Sequence, residues 1–250
     1  MTRVRQALVC LLAAAGLCLV APPAALPAQP EPPLAHAPLT VRFSGGRPVR
    51  VHRFRIRVPE IRSEIVDLAF KLPVSASLDS ALLVMNGGYW EWHQGKPRMM
   101  GYVVSQGTQL SPVRKKLDGG TLIVQQSRAR ILRSSQLPRT PAGVELAVQC
   151  KPRLVEARKV VSGLNAQGHA ARTAICLRDG GHTLDAYLSD PADRGPTLAE
   201  LGDWLAAEGC DDALNLDGGP STAASFRQED GVLNIGAGVG LPYSIRFSPR

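Results

Sequence analysis

Apolar and polar residues alternate along much of the chain after about residue 39, with the period of strands that bury one face. The clearest case is residues 49–58, where apolar side chains take turns with basic ones. An Asp-Gly-Gly turn at 179–181 lies between two apolar stretches and predicts a hairpin. Further strands are predicted at 41–43, 65–70, 81–85, 102–105, 121–125, 145–149, 172–177, 182–188, 231–235 and 243–247.

One helix is predicted after the last hairpin. Thr197 and Glu200 have the spacing of a capping box, which satisfies free N–H groups at a helix start. Leucines three and four residues apart follow as an apolar stripe, and Gly209 suits a C-terminal cap. Because strands greatly outnumber helices, the sequence predicts an α+β fold with a mostly antiparallel or mixed β-sheet, few helices and a single domain.

The N-terminal region has the composition of an export signal. Arg3 and Arg5 precede an apolar run at 7–20, and small residues follow it. We therefore predict a signal peptide at 1–28, a Pro/Ala-rich linker at 29–38 and a folded domain at 39–250. An uncleaved anchor is the alternative, although the run is short for a span of about 20 residues. The expected location is the bacterial periplasm or the exterior, without stable membrane insertion after cleavage.

Composition narrows the range of partners. The chain has 250 residues, 44% of them hydrophobic, and a formal net charge of +8. A moderately basic exported protein suits anionic glycans, phosphodiesters or lipid headgroups. Aromatic residues make up only 5%, and no arginine-rich tract is interleaved with them, so we expect no nucleic acid partner.

Three cysteines remain beyond the predicted signal: Cys150, Cys176 and Cys210. An odd number in an oxidising compartment allows one disulfide and one free thiol, or no disulfide. Cys176 and Cys210 are the favoured pair, because each lies near an apolar segment flanking the Gly-Gly motif described next. No spacing of cysteine and histidine indicates zinc, so neither metal nor cofactor is expected.

Two polar residues enter Gly-Gly turns directly from apolar runs. Asn86 does so at 86–88, and Asp217 does so in Ala-Leu-Asn-Leu-Asp-Gly-Gly-Pro-Ser-Thr at 213–222. Successive N–H groups in such turns can form a concave site for an anion. The simpler alternative is a pair of tight turns, since these are ordinary turn residues.

Together with Arg172-Thr173, these motifs resemble the phosphodiester glycosidase family from about residue 81 to 245. The matching blocks are at 83–90, 149–155, 171–175, 213–222 and 240–245. Two positions depart from the family pattern: Lys151 replaces a usual glycine, and Pro220 replaces the third glycine of one motif version. The resemblance implies hydrolysis of the bond between a sugar's anomeric carbon and a phosphodiester.

The resemblance also implies roles for individual residues. Asp217, Arg172 and Asn86 are the expected catalytic residues. Asp217 activates water or stabilises an oxocarbenium-like centre, Arg172 binds phosphate oxygens, and Asn86 orients sugar or phosphate. The glycine main chains donate hydrogen bonds to the ligand, and Ser221 supports the loop. The expected substrate-binding residues are Gly87, Gly88, Thr173, Gly218, Gly219 and Ser221.

Three alternatives remain open. A non-catalytic protein of the same fold would bind envelope glycans or phosphoglycans. A dimeric aspartic protease would need a second carboxylate, because no second Asp-Thr-Gly or Asp-Ser-Gly occurs. A metal-dependent phosphodiesterase would cleave P–O instead of C–O. The expected partner is a phosphorylated glycan, such as an exopolysaccharide, or a sugar-1-phosphodiester of unspecified sugar and aglycone.

Overall fold

Strands dominate the structure, as the alternating pattern predicts. A computed structural model describes residues 31–44, 46–68, 70, 78–236 and 240–250. The predicted signal peptide at 1–28 lies outside these residues. The elements are β1 (Leu34–Arg42), β2 (Pro48–Arg57), β3 (Ile61–Asp67), β4 (Leu83–Asn86), β5 (Trp90–His93), β6 (Lys96–Met99), β7 (Val103–Ser105), β8 (Thr108–Ser111), β9 (Gly120–Gln125), β10 (Arg128–Leu132), β11 (Val144–Cys150), β12 (Arg153–Glu156), β13 (Lys159–Val160), β14 (Thr173–Arg178), β15 (Thr183–Ser189), α1 (Leu198–Ala207), β16 (Asp212–Asn215), β17 (Ala224–Gln228), β18 (Gly231–Ile235) and β19 (Tyr243–Pro249).

These strands form three larger sheets and one hairpin. The first sheet has the order β1-β2-β15-β14-β16-β12-β13, the second β10-β9-β11-β7-β8 and the third β18-β17-β4-β19-β3. The fourth unit is the β5–β6 hairpin. Within the described ranges every strand pairing is antiparallel, so the expected antiparallel, helix-poor architecture is confirmed in that coarse form.

A central apolar core joins the three larger sheets. Phe54 and Ile175 from the first sheet, Leu122 from the second, and Met85 and Ile245 from the third lie in one buried cluster. Burying such side chains contributes roughly 1.5–3 kcal/mol each. The ends of strands from different sheets are thereby held close to one another.

Helix α1 confirms the capping-box prediction. The Thr197 hydroxyl accepts a hydrogen bond from the Glu200 N–H at 3.1 Å, and the Glu200 carboxylate accepts one from the Thr197 N–H at 2.9 Å. Leu201 and Leu205 are buried in a second apolar cluster with residues of the first sheet. Gly209 follows the helix with a φ of +83°, a conformation that suits glycine after a helix end.

Strands β14 and β16 are neighbours in the first sheet, and a disulfide reinforces them. Cys176 in β14 is bonded to Cys210, just before β16, which confirms the favoured pairing. Cys150 is a buried free cysteine. The predicted hairpin of β14 and β15 is also confirmed, with Thr173 opposite Leu188.

The predicted linker boundary is wrong. β1 begins at Leu34, inside the predicted linker. Its first five residues pair with β2 in the same register as the rest of the strand, and Pro38 lies opposite His52. β1 lies at the edge of its sheet, where proline's missing N–H is tolerated. The linker was predicted from the proline and alanine content of this segment, but an edge strand can have the same composition. In the described part of the chain, no helix is long and apolar enough to cross a membrane.

Candidate functional site

The side chain of Asn86 links the three sequence motifs at 86–88, 172–173 and 213–222. It ends β4 and is 1% exposed. Its Nδ2 donates to the main-chain carbonyl of Asp217 at 2.8 Å. Its Oδ1 accepts from the Thr173 hydroxyl at 2.9 Å and from the Ala223 N–H at 3.2 Å. These bonds occupy the buried amide, so Asn86 links Thr173 and Ala223 to the main chain of Asp217.

The carboxyl group of Asp217 is partly buried. Burial raises its pKa, opposed by hydrogen bonds from the Ser221 side chain and the Gly218 N–H, the latter at 2.9 Å. Asp217 has no ion-pair partner among the described residues. A carboxyl with a raised pKa and no fixed counter-charge is suited to proton transfer.

Arg172 provides a half-buried positive charge just before β14. Its main-chain N–H donates to Ser189 Oγ at 2.7 Å, its Nε donates to the Pro196 carbonyl at 3.1 Å, and its Nη2 donates to the Gly168 carbonyl. Burial lowers the pKa of Arg172. Neutral carbonyls hold the guanidinium without cancelling its charge, and no carboxylate in the described ranges pairs with it. The charge is therefore available to an anion.

Tyr89 lies within electrostatic reach of both groups and was missed by the sequence reasoning. Its hydroxyl donates to the Lys151 carbonyl at 2.7 Å. Burial raises the pKa of Tyr89, the charge of Asp217 raises it further, and Arg172 opposes this. The available signal was its place immediately after the first Gly-Gly. Its bond to Lys151, 62 residues away, has no local sequence signature.

Asn215 was also missed, although it precedes Asp217 by two residues. Its Nδ2 donates to the carbonyls of Lys151 at 3.2 Å and Leu216 at 2.6 Å. It therefore ties the strand that delivers Asp217 to the Lys151 loop. The asparagine inside the apolar run was the only sequence signal for this role.

The first Gly-Gly turn is required for packing. A Cβ on Gly87 would lie 2.2 Å from Cε2 of Tyr243, and one on Gly88 would lie 2.9 Å from Cγ1 of Val148. Both glycines are buried. Their absent side chains let β19 and β11 approach, which is a different role from the predicted ligand binding.

The second Gly-Gly turn has its N–H groups already in use. The Gly218 N–H bonds to the Asp217 carboxylate, and the Gly219 N–H donates to the Ala171 carbonyl at 2.7 Å. A Cβ on Gly218 would lie 2.7 Å from that same carbonyl. Both N–H groups therefore have acceptors within the protein, whereas Arg172 has no carboxylate partner among the described residues. Ser221 ends a short 3₁₀ turn, Gly219–Ser221, and supports Asp217.

Other chemical groups near the motifs are engaged elsewhere. Glu91 pairs with Arg98 at 3.2 Å and with Arg114, so it is not a second catalytic carboxylate. Cys150 is fully buried, and burial raises its thiol pKa to about 12, which leaves it protonated. Among the described residues, no group of three or more His, Cys, Asp or Glu side chains could hold a metal ion.

Comparison with known proteins identifies a family model that covers these residues. The family model for phosphodiester glycosidases matches residues 79–239, which include Asn86, Arg172 and Asp217. No curated protein matches the chain by sequence.

Three solved structures share the fold. The catalytic domain of zebrafish N-acetylglucosamine-1-phosphodiester α-N-acetylglucosaminidase, auto-inhibited by its pro-peptide, has a TM-score of 0.68 at 15% identity and covers 88% of this chain and 85% of that one. A hypothetical protein from Synechocystis has a TM-score of 0.62 at 17% identity, covering 87% of this chain. This chain spans only 62% of the Synechocystis protein. A Burkholderia pseudomallei protein named for export has a TM-score of 0.58 at 13% identity, covering 83% and 76%.

Proposed function

The chain belongs to the phosphodiester glycosidase family, and on that premise we propose that it is an exported hydrolase of sugar-1-phosphodiesters. The bond cleaved is the glycosidic C–O bond, and the products are the free sugar and a phosphomonoester. One observation carries this proposal: a cationic Arg172 and a single desolvated Asp217, neither paired with an opposite charge in the described part of the chain, occur in one cluster of strand ends.

A single carboxyl group is enough for this chemistry. Ordinary glycosidases use two, because an alkoxide leaving group must be protonated as it departs. The leaving group of a sugar-1-phosphodiester is a phosphomonoester, which departs as a stabilised anion and needs no such proton. The demand shifts to charge stabilisation, which Arg172 supplies through hydrogen bonds to the phosphate oxygens.

Asp217 then acts as the base. Water attacks the anomeric carbon, its proton passes to the Asp217 carboxylate, and the electrons of the C–O bond leave with the phosphomonoester. The raised pKa of Asp217 favours this transfer, because a base is most effective when its pKa is near the working pH. Asn86 holds the main chain of Asp217 in place during the reaction.

Export and an envelope substrate are part of the same proposal. The basic start and apolar run of the chain support export. A disulfide between Cys176 and Cys210 is typical of proteins that work in oxidising compartments. A phosphorylated glycan outside the cytoplasm, such as an exopolysaccharide, is the corresponding substrate class.

Isotope labelling tests the reaction directly. The mature protein is incubated with a synthetic sugar-1-phosphodiester in ¹⁸O-water, with and without a chelator. We expect ¹⁸O at the anomeric carbon, none in the phosphate and little effect of the chelator. Label in the phosphate would identify a phosphodiesterase, and binding without turnover would favour the non-catalytic alternative. Asp217→Asn protein is the control for hydrolysis by contaminating enzymes.

A further inference from the structure

A basic groove lies beside the candidate site. It is a cavity of about 380 Å³ whose charged lining residues are Lys115, Lys116, Lys151, Arg133, Arg153 and Asp118. A second cavity of about 340 Å³ shares the three lysines with it. We call this continuous concave surface the lysine groove. With Arg114, which lines the second cavity, six cations and one carboxylate give it a strongly positive lining.

Most of the other charges in the groove are already paired. Arg133 and Arg153 both bind Glu156, at 2.7 and 2.5 Å. Asp118 accepts hydrogen bonds from the N–H and hydroxyl of Ser134 at 2.8 and 2.7 Å. The pKa of Asp118 is lowered mainly by these bonds, so the group is ionised but engaged.

The three lysines differ from these groups in the partners of their side chains. Lys151 Nζ donates to the Lys116 main-chain carbonyl at 3.4 Å, a neutral acceptor. Within the described ranges, none of Lys115, Lys116 and Lys151 forms an ion pair with a carboxylate. Three ammonium groups facing shared concave space repel one another unless an anion binds between them. The unbalanced charge of the groove therefore comes from its lysines.

Lys151 connects the groove to the site. Its carbonyl accepts hydrogen bonds from Tyr89 and Asn215, which lie next to Asp217, while its side chain lines the groove. Gly119 fits closely against it, since a Cβ there would lie 2.6 Å from the Lys151 Cβ. Lys151 therefore contacts site residues through its carbonyl and lines the groove with its side chain.

We propose that the lysine groove binds a second phosphate group of the same substrate, so that the substrate is a phosphoglycan carrying more than one phosphate. This rests on the proposed function for the identity of the substrate. Lysine binds phosphate as a compact point charge. A phosphate monoester carries about −1.5 to −2 charges near neutral pH, whereas a carboxylate carries a single charge, so a cluster of lysines favours phosphate over carboxylate. The arginines of the groove are already paired, Arg133 and Arg153 with Glu156 and Arg114 with Glu91, so the lysines supply the charge.

The first test does not depend on hydrolysis. Calorimetric titration with inorganic tripolyphosphate compares the wild type with Lys115→Gln/Lys116→Gln, leaving Lys151 intact because its main chain borders the site. We expect binding at least about tenfold weaker in the double variant, and weaker in all proteins as salt screens the charges. Arg62→Gln/Lys96→Gln removes the same charge from other exposed positions and should bind like the wild type. Equal affinity in all three proteins would overturn the proposal.

The second test measures kcat/KM for three synthetic sugar-1-phosphodiesters. Their aglycones end in a neutral alkyl group, a phosphate or a carboxylate. We expect the wild type to prefer the phosphate over the neutral aglycone by at least about tenfold, mainly through KM, and Lys115→Gln/Lys116→Gln to lose that preference. No preference in the wild type, or an equal preference for the carboxylate, would overturn the phosphate assignment.

The two tests separate this proposal from the proposed function. If no substrate is hydrolysed but tripolyphosphate binding still depends on the lysines, the groove stands as a phosphate site and the hydrolase proposal fails. If the neutral substrate is hydrolysed but tripolyphosphate binds all variants equally, the hydrolase proposal stands and the groove proposal fails.

Discussion

The side-chain amide of Asn86 donates a 2.8 Å hydrogen bond to the main-chain carbonyl of Asp217, 131 residues away in sequence. The bond ties the end of β4, in the third sheet, to the end of β16, in the first sheet. The main-chain N–H of Asp217 is also 3.4 Å from the Gly87 carbonyl. The position of the Asp217 carboxyl group thus depends on how two sheets meet.

Replacing Asn86 by alanine should destabilise the fold and impair catalysis together. The Thr173 hydroxyl, the Ala223 N–H and the Asp217 carbonyl would each lose a buried partner. We expect a loss of about 2–4 kcal/mol in the free energy of unfolding, measured by urea denaturation. Gln228→Ala, which removes an exposed side-chain amide at the end of β17, is the matched control, with a loss below about 1 kcal/mol. Equal losses in the two variants would contradict this role for Asn86.

Asp217→Asn should lower kcat by about 10²–10⁴-fold while the protein stays folded, because the main-chain bonds of residue 217 are retained. A base must be deprotonated, so wild-type kcat/KM should fall as pH decreases through the Asp217 pKa. Burial raises that pKa, which places the acid limb above the ordinary aspartate range. Ser221→Ala removes a hydrogen bond that lowers the pKa, and should move the limb to higher pH. An unmoved limb would exclude Asp217 as the titrating group.

Arg172→Lys should reduce kcat/KM by about 10²–10³-fold on a sugar-1-phosphodiester. Lysine keeps the positive charge but cannot reproduce a planar fork that binds the Pro196 and Gly168 carbonyls and a phosphate together. Arg130→Lys, at an exposed position of β10, is the control and should retain full activity. Activity close to wild type in folded Arg172→Lys protein would show that charge alone is sufficient.

Elements that are stabilised by contacts between residues close in sequence were predicted correctly. The capping box joins Thr197 and Glu200, three positions apart, and the β14–β15 hairpin is closed by its own turn. Edge elements were harder to predict. The β5–β6 hairpin alternates apolar and polar residues, as at Trp90–His93, but each of its strands has only four residues and β6 contains Pro97, which argues against a strand. β1 was misread for the related reason that an edge strand tolerates proline.

The site was predictable as a set of residues but not as a set of contacts. The sequence motifs were sufficient to select Asn86, Arg172 and Asp217. The fold brings Asn86 and Asp217 into direct contact. That the Gly219 N–H bonds to Ala171 depends on how a loop folds onto β14. The link from Tyr89 to the Lys151 carbonyl likewise depends on two distant segments meeting. Such long-range partners leave no pattern in a single sequence.

The Cys176–Cys210 disulfide should stabilise the strands that carry Arg172 and Asp217. It closes a loop with a sequence separation of 34, for which loop entropy predicts about 3–4 kcal/mol. A reductant should lower the denaturant midpoint of the wild type accordingly. It should leave the mature Cys176→Ser/Cys210→Ser protein unchanged, since the other cysteine among the described residues, Cys150, is buried and unbonded. A wild-type midpoint that does not respond to reductant would contradict the prediction.

The stability of the first sheet should fall in acid through Asp185. This fully buried carboxylate accepts hydrogen bonds from Arg55 at 2.9 Å and from Arg178 at 2.8 Å. Burial alone would raise its pKa, but the two arginines lower it below the ordinary value of 3.8. A depressed pKa contributes stability above the unfolded-state pKa, and that contribution is lost as pH falls through the folded-state pKa.

Asp185→Asn should therefore cost about 3–5 kcal/mol at pH 7, as measured by urea unfolding. The gap to wild type should narrow at pH values below about 4. Asp190→Asn, at a more exposed pair with Arg50, should cost less than about 1 kcal/mol. A gap between wild type and Asp185→Asn that is constant from pH 7 to pH 3 would show that packing, and not ionisation, accounts for the cost.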